Sequence, residues 1–422
     1  MGEVRMRKSP FLSSLWATAG LQLALAAGQV SPTAAQEAVT DPLGVIKIEK
    51  GAPIQIGAYW VLSGPDAALG IDSRRGVELA FKDRGGEIDG HELVLNAQDS
   101  LCTPEGGQTA ATKLAANPAT IIVLGSACSS EVVAAAPILW KAGIANIGTS
   151  ASAPKLTAPD RGPGYQGFVR MIADDNAQGA ADAEYIYNVL KKKSVVTIHD
   201  GSPYAEALQG AMVKRFTELG GTVLSQEATT PTEVDMRPLL TNIAALKPDL
   251  VYMPIFVAAA SQIIRQVKDV PGMENATLLG SNGLMSADMI QAAGSSVVGF
   301  QFTYQDISPE ALGDGYTKFL ENYKSEYGEA PISGFHSNAY DAARAALDAI
   351  DKVAVTDGEG TTYIGRKALR DAVFASKFDG LSGRISCDQH GNCAEFKPAV
   401  YEYTSDDVST YETGKNPRKV FP

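Results

Sequence analysis

The sequence predicts an α/β protein whose parallel sheets fall into two similar halves. Three observations carry that prediction. From residue 52 onward, short apolar runs of strand composition alternate with amphipathic stretches of helical period. The same alternation restarts after residue 171, without an exact sequence repeat. Strand ends run repeatedly into turns of Gly, Ser and Thr, the composition found where open α/β sheets hold ligands.

In order, the first half reads as a strand over 54–62 and a helix over 72–84 with apolar Val77, Leu79, Ala80 and Phe81. A strand over 91–97 follows, alternating Leu93, Leu95 and Ala97, and then a helix over 104–116 with Pro104 near its first position. The stretch 121–152 organises the half. Its apolar run 121–124 reads as a buried strand that ends in Gly125-Ser126-Ala127-Cys128-Ser129-Ser130. An Ala-rich helix comes next, then a strand over 144–147 that ends in Gly148-Thr149-Ser150-Ala151-Ser152. Serine hydroxyls and the free N–H groups of a helix start suit a carboxylate, although Ser129 or Ser130 would equally serve as a plain cap. Pro137 lies inside the helical pattern, so the helix starts near Ala135 or kinks.

A further strand over 165–171 closes the first half, and the alternation then starts again. Helices are expected over 178–190, 205–219, 236–246 and 258–267, and strands over 194–199, 223–228, 250–254, 277–279 and 297–303. Two long helices (312–327 and 338–353) and a shorter one (366–374) come next. A β-rich end (383–387, 394–403) and a polar, loose tail after Thr404 complete the chain.

Length and charge narrow the class. The 422 residues allow two or three domains, and the net charge of −12 argues against a nucleic-acid partner. Residues 1–35 read as a secretory leader: basic Arg5, Arg7 and Lys8, an apolar core over 11–27, and Thr33-Ala34-Ala35 before a first mature residue at Gln36. The expected location is the periplasm, with no lipid anchor, since no Cys stands at the cleavage site. The four cysteines, Cys102, Cys128, Cys387 and Cys393, suit two disulfides in an exported protein. Near neighbours are favoured: Cys102 and Cys128 both follow strands, and Cys387 and Cys393 flank a turn. Zinc is disfavoured because His91, His199, His336 and His390 are scattered; no metal or cofactor is expected.

Several spaced segments make a family legible. They are Leu62-Ser63-Gly64-Pro65, Asp99-x-x-Cys102, Cys128-Ser129-Ser130, Ala153-Pro154-x-Leu156-Thr157, His199-Asp200-x-x-x-Tyr204 and Pro248-Asp249-Leu250-Val251-Tyr252. Together they resemble the leucine/isoleucine/valine-binding proteins of ABC transporters, the type I periplasmic binding-protein fold, over nearly all of the chain from Ala52. The resemblance implies two Rossmann-like lobes joined by three hinge crossovers, near 170–173, 302–305 and 381–384. Lobe 1 would comprise 52–171 and 304–381, lobe 2 would comprise 172–303 and 382–403, and 404–422 would be the tail. It implies a Cys102–Cys128 disulfide, with the Cys387 and Cys393 pair outside the family's core pattern.

The resemblance also implies binding residues. Ser129 would bind a ligand carboxylate. Ser150 and Ser152 would serve carboxylate and ammonium, and Tyr204 would close over the ligand. Leu69 and Tyr340 would line the side-chain pocket. Two departures matter: the family's acidic partner for the ammonium falls on Asn282, and a nearby aromatic hydroxyl is replaced by Phe256. Asn282 can accept a hydrogen bond but carries no charge, and a buried ammonium without an anion is costly. Either Asp200 or Asp306 supplies the charge, or the ligand has no ammonium and is an aromatic or aliphatic carboxylate, an amide or urea.

The expected function is therefore capture of a small amino acid or related carboxylate between closing lobes, for delivery to a membrane permease, by a monomer. A sensory ligand-binding subunit would have the same fold. An enzyme is the main rival, but the sequence has no G-x-S-x-G elbow, no H-E-x-x-H, no P-loop and no G-x-G-x-x-G after the first strand.

Overall fold

The structure, a computed structural model, describes residues 39–422. The expected leader lies outside the described residues. Two sheets dominate. The first has six strands in the spatial order Glu87–Ile88, His91–Asp99, Ile54–Trp60, Thr120–Leu124, Asn146–Gly148, Phe168–Arg170. All pair in parallel except the short edge hairpin at Glu87–Ile88. The second has seven strands, in the order Thr222–Ala228, Ser194–His199, Leu250–Tyr252, Leu278–Gly280, Gln301–Gln305, Pro398–Glu402, Arg418–Phe421. The first five are parallel and the last two antiparallel.

Strip off the edge additions and both sheets share one topology. In each, the first strand in sequence lies between the second and the third, and the fourth and fifth follow outward. The strand order therefore reverses at one point in each sheet: beside Ile54–Trp60 and Thr120–Leu124 in the first, beside Ser194–His199 and Leu250–Tyr252 in the second. Loops leaving the carboxyl ends of such strands diverge and leave a crevice. The central strands are near-continuous apolar runs such as Ile121, Ile122, Val123 and Leu124, buried on both faces by helices.

Helices appear where periodicity placed them, with shifted ends. The first spans Ala67–Asp83, starting before the expected residue 72. Gly70 permits this: a Cβ there would stand 1.8 Å from the Val61 carbonyl oxygen, so only glycine lets the helix lie against the strand end. The helix Ser129–Lys141 does not start late but continues through Pro137, with Cys128 rather than either serine at its cap. Pro137 leaves the Val133 carbonyl without its helical donor, and the Tyr165 hydroxyl donates to that oxygen at 3.0 Å. The long helix expected over 312–327 is broken at Gly313, where φ is +82°, into Pro309–Leu312 and Asp314–Tyr327.

Three regions differ from expectation. Val45–Ile48 pairs with Thr362–Gly365, which pairs with Val355–Thr356, in a small separate sheet that the sequence did not signal. The tail is not loose: Arg418–Phe421 pairs with Pro398–Glu402, and Phe421 packs on Tyr185 with ring centroids 5.1 Å apart. The third passage between sheets falls after Cys393 rather than at 381–384. Asp341 accepts from the backbone N–H groups of Leu381 and Ser382 (2.9 and 2.8 Å), and residues 391–393 bond along Arg170 at the edge of the first sheet. Both disulfides form, Cys102–Cys128 and Cys387–Cys393.

Candidate functional site

The loops at the two reversal points face each other. From the first half, the start of the Ala67–Asp83 helix brings Leu69, and the loop after Thr120–Leu124 brings Ala127 and Ser129. The loop after Asn146–Gly148 brings Ser150 and Ser152. From the second half come Tyr204, Phe256, Asn282 and Gly283, from the loops and helix starts after three successive strands. All of these, with Phe335, line one cavity. Seven of the eight residues expected to bind ligand are thus brought together. The free space between them, open solvent included, is about 250 Å³, with room for about one water.

Tyr340 is the exception. Its hydroxyl donates to Asp83 at 2.9 Å and its ring meets Phe319 edge-on, away from the cavity. The aromatic that reaches the cavity from this region is Phe335, just before the helix His336–Val353 begins. A residue at the helix start faces the cleft, whereas one a turn later on the same helix faces the Ala67–Asp83 helix.

The serine side of the cavity is rigidly held. The Ser129 hydroxyl accepts from the Ala153 N–H at 3.0 Å, which ties the two small-residue turns together. The Ser150 hydroxyl makes long contacts of 3.4 and 3.3 Å to the Ser126 and Ala127 carbonyls. Fully buried Arg170 donates to the Ser152 and Ala153 carbonyls at 2.8 and 2.9 Å. Burial pulls its guanidinium down to about 10, which still leaves it charged at neutral pH. Buried Glu131 accepts from the Cys128 and Cys102 N–H groups and from the Ser100 hydroxyl, which fixes the disulfide-bearing turn. Desolvation raises its carboxyl to about 7 against those bonds.

The opposite wall is largely self-satisfied. The Tyr204 hydroxyl donates to Asn282 Oδ1, lies 2.6 Å from Ser281 Oγ and accepts from the Gly283 N–H at 3.3 Å. The Phe256 ring lies 5.1 Å from that of Tyr204. Because the oxygen of Asn282 is engaged, what remains for a ligand is its NH₂, a donor. Neither aspartate considered as a countercharge is free. Asp200 accepts from Ser202 and Phe256 N–H groups, and Asp306 accepts from Ser308 and pairs with Lys419 at 2.6 Å.

A different carboxylate adjoins the site. Asp175 is the first residue of the helix Asp175–Glu184, fully buried, and neither of its oxygens has a hydrogen-bond partner. Its N–H donates to the Ser152 carbonyl at 3.1 Å, and the Ser152 hydroxyl lies beside its carboxyl without reaching hydrogen-bond geometry. Burial raises its carboxyl from 3.8 to about 7, and its charge is felt at the Tyr204 hydroxyl. The helix begins three residues before the expected 178, and Asp174 and Asp175 stand side by side at its start. Asp174 takes the capping role, accepting from Asn176 and Ala177, and frees its neighbour.

The fold matches known proteins. A family model described as "Periplasmic binding protein" covers residues 53–407. The chain belongs to the periplasmic binding proteins. Within them it stands in the leucine/isoleucine/valine-binding group. An amino acid binding protein of Pseudomonas aeruginosa is 30% identical over 365 residues, 85% of this chain and 92% of that one. Among solved structures, a substrate-binding protein of a branched-chain amino acid transporter from Streptococcus pneumoniae, in complex with isoleucine, superposes with a TM-score of 0.73. It is 23% identical and covers 88% of this chain and 100% of its own. An ABC-transporter solute-binding protein from R. palustris in complex with benzoate gives 0.72 at 21% identity, covering 87% of this chain and 96% of its own. At these identities the two structures speak for the fold. The periplasmic binding protein described here thus has relatives solved with either an amino acid or an aromatic acid.

Proposed function

We propose that this protein captures a small α-amino acid between its two lobes for a membrane ABC permease in the periplasm, acting as a monomer and without catalysis. Ser129, Ser150 and Ser152 take the carboxylate, Asp175 takes the ammonium, and Leu69, Phe256 and Phe335 surround the side chain. The observation that carries this reading is Asp175: a buried carboxylate with two unpartnered oxygens beside the cleft costs several kcal/mol, and an ammonium offsets that cost. The small cavity supports a hinge mechanism, since an amino acid enters such a space only after the walls separate. The segments 171–174, 306–313 and 394–397 are the proposed hinges.

A second reading, capture of an aromatic carboxylate, is favoured by the donor NH₂ of Asn282 and the aromatic walls. A thermal-shift screen of refolded, ligand-free protein with L-leucine, L-alanine and benzoate separates the two. Ligand at 100 times its dissociation constant adds about 2.7 kcal/mol, enough to raise the melting temperature by several degrees. Stabilisation confined to benzoate overturns the amino-acid reading.

A further inference from the structure

The two lobes exchange aspartates at their helix starts. The Val257 N–H, at the first residue of the helix Val257–Gln266 in the second lobe, donates to Asp66 Oδ1 of the first lobe at 3.1 Å. In return the Ala68 N–H, in the first turn of Ala67–Asp83, donates to Asp288 Oδ2 of the second lobe at 2.9 Å. The first N–H groups of a helix have no partner within it, so each lobe satisfies an orphan donor of the other. Among the described residues, neither carboxylate has another hydrogen bond. Asp66 stands at the cap position of its own helix yet does not cap it. Asp288 lies in the first turn of the helix Ala287–Ala293, which Ser286 caps. Both aspartates are therefore unnecessary to their own lobes and matter only when the lobes meet.

We propose that Asp66 and Asp288 form a reciprocal latch that holds the lobes closed and so sets how tightly the cleft retains its ligand. The latch rests on the lobe-closure reading above but not on the identity of the ligand. Helix dipoles strengthen it, since each carboxylate approaches the positive end of the opposing helix. Its cost is also visible: with Asp200 nearby, closing gathers three carboxylates at the cleft edge, and burial with its neighbours' charge holds Asp66 up at about 7.

The test uses Asp66→Ala, Asp288→Ala and Asp66→Asn in the full mature chain. Residue-resolved amide exchange is followed with and without L-leucine, together with calorimetric and stopped-flow binding of L-leucine. Each Ala variant should lose protection only at the amide its carboxylate held, Val257 or Ala68. Each should bind L-leucine about fivefold more weakly, through faster release, because the closed state is less populated. Asp66→Asn keeps an acceptor oxygen and should keep both protection and affinity. Equal exchange at Val257 and Ala68 in wild type and Ala variants, in both conditions, overturns the latch. If wild type does not bind L-leucine, the amino-acid reading fails, and the same exchange comparison with benzoate as the closing ligand decides the latch.

Discussion

Replacing Asp175 with asparagine keeps the shape of the side chain and removes its charge. In the folded protein this carboxyl is raised from 3.8 to about 7 by burial, so between those values the native state holds a proton that the unfolded chain releases. The stability it contributes is fully present below about pH 4 and is lost as pH rises through about 7, a loss on the order of 4 kcal/mol by about pH 8. Asp175→Asn should therefore melt close to wild type near pH 4 and clearly above it near pH 8. Binding runs the other way. An ammonium needs the carboxylate, so below about pH 7 L-leucine must displace a proton, and its affinity should fall up to tenfold per pH unit toward about pH 5. The variant should show no such slope, and near pH 8 it should bind about thirtyfold more weakly, the loss of about 2 kcal/mol expected for a hydrogen bond between charged groups. Calorimetry in buffers of different ionisation enthalpy reads both the affinity and the released proton. Affinity within twofold of wild type, with the pH slope unchanged in the variant, would refute the assignment of the ammonium to Asp175.

Other consequences follow from the same contacts. Ser129→Ala leaves the buried Ala153 N–H without its acceptor and should cost about 2 kcal/mol in a denaturant titration, with a loss of ligand affinity on the order of tenfold. Tyr340→Phe removes only the outward bond to Asp83, so L-leucine affinity should be unchanged, while stability falls by about 1 kcal/mol or less. Opening the Cys102–Cys128 bridge by a double serine substitution frees a loop of 26 residues and should lower stability by about 3 kcal/mol, read as a shifted denaturation midpoint.

The site was more legible than the chain's edges, and physics explains why. Ligands gather where strand order reverses, and the loops that follow those strands are the small-residue turns at 125–130 and 148–152 and their counterparts around Tyr204, Phe256 and Asn282. The composition of the two first-half turns is local, so it can be read, whereas Tyr204, Phe256 and Asn282 were implied by the family resemblance. Tyr340 misled because the family resemblance carries a position onto this helix without telling which end of its buried face meets the cleft. Asp175 was hidden because two adjacent acids at a helix start look alike. Only tertiary packing makes one a cap and buries the other. The tail strand Arg418–Phe421 was missed because an edge strand with half-exposed side chains has too little apolar pattern to stand out from a polar loop.

The position of Asp175 also accounts for the substitution at Asn282. An acid at 282 would sit on the far wall, where the Tyr204 hydroxyl already engages the side chain, and would meet the ammonium only on closure. Asp175 instead follows the first proposed hinge directly, and its backbone is bonded to Ser152 of the opposite lobe. Points near a pivot move least when lobes open. In our reading the anion that recognises the ammonium therefore stays beside the serines in the open form, and the amino acid is held at both charged ends before the second lobe arrives. Tyr204, Phe256 and Asn282 then enclose the side chain and discriminate by shape. That order predicts that changes at Tyr204 raise the release rate of L-leucine with little effect on its association rate, whereas Asp175→Asn lowers association as well. Stopped-flow binding separates the two, and an association rate equal to wild type in Asp175→Asn would place ammonium recognition after closure instead.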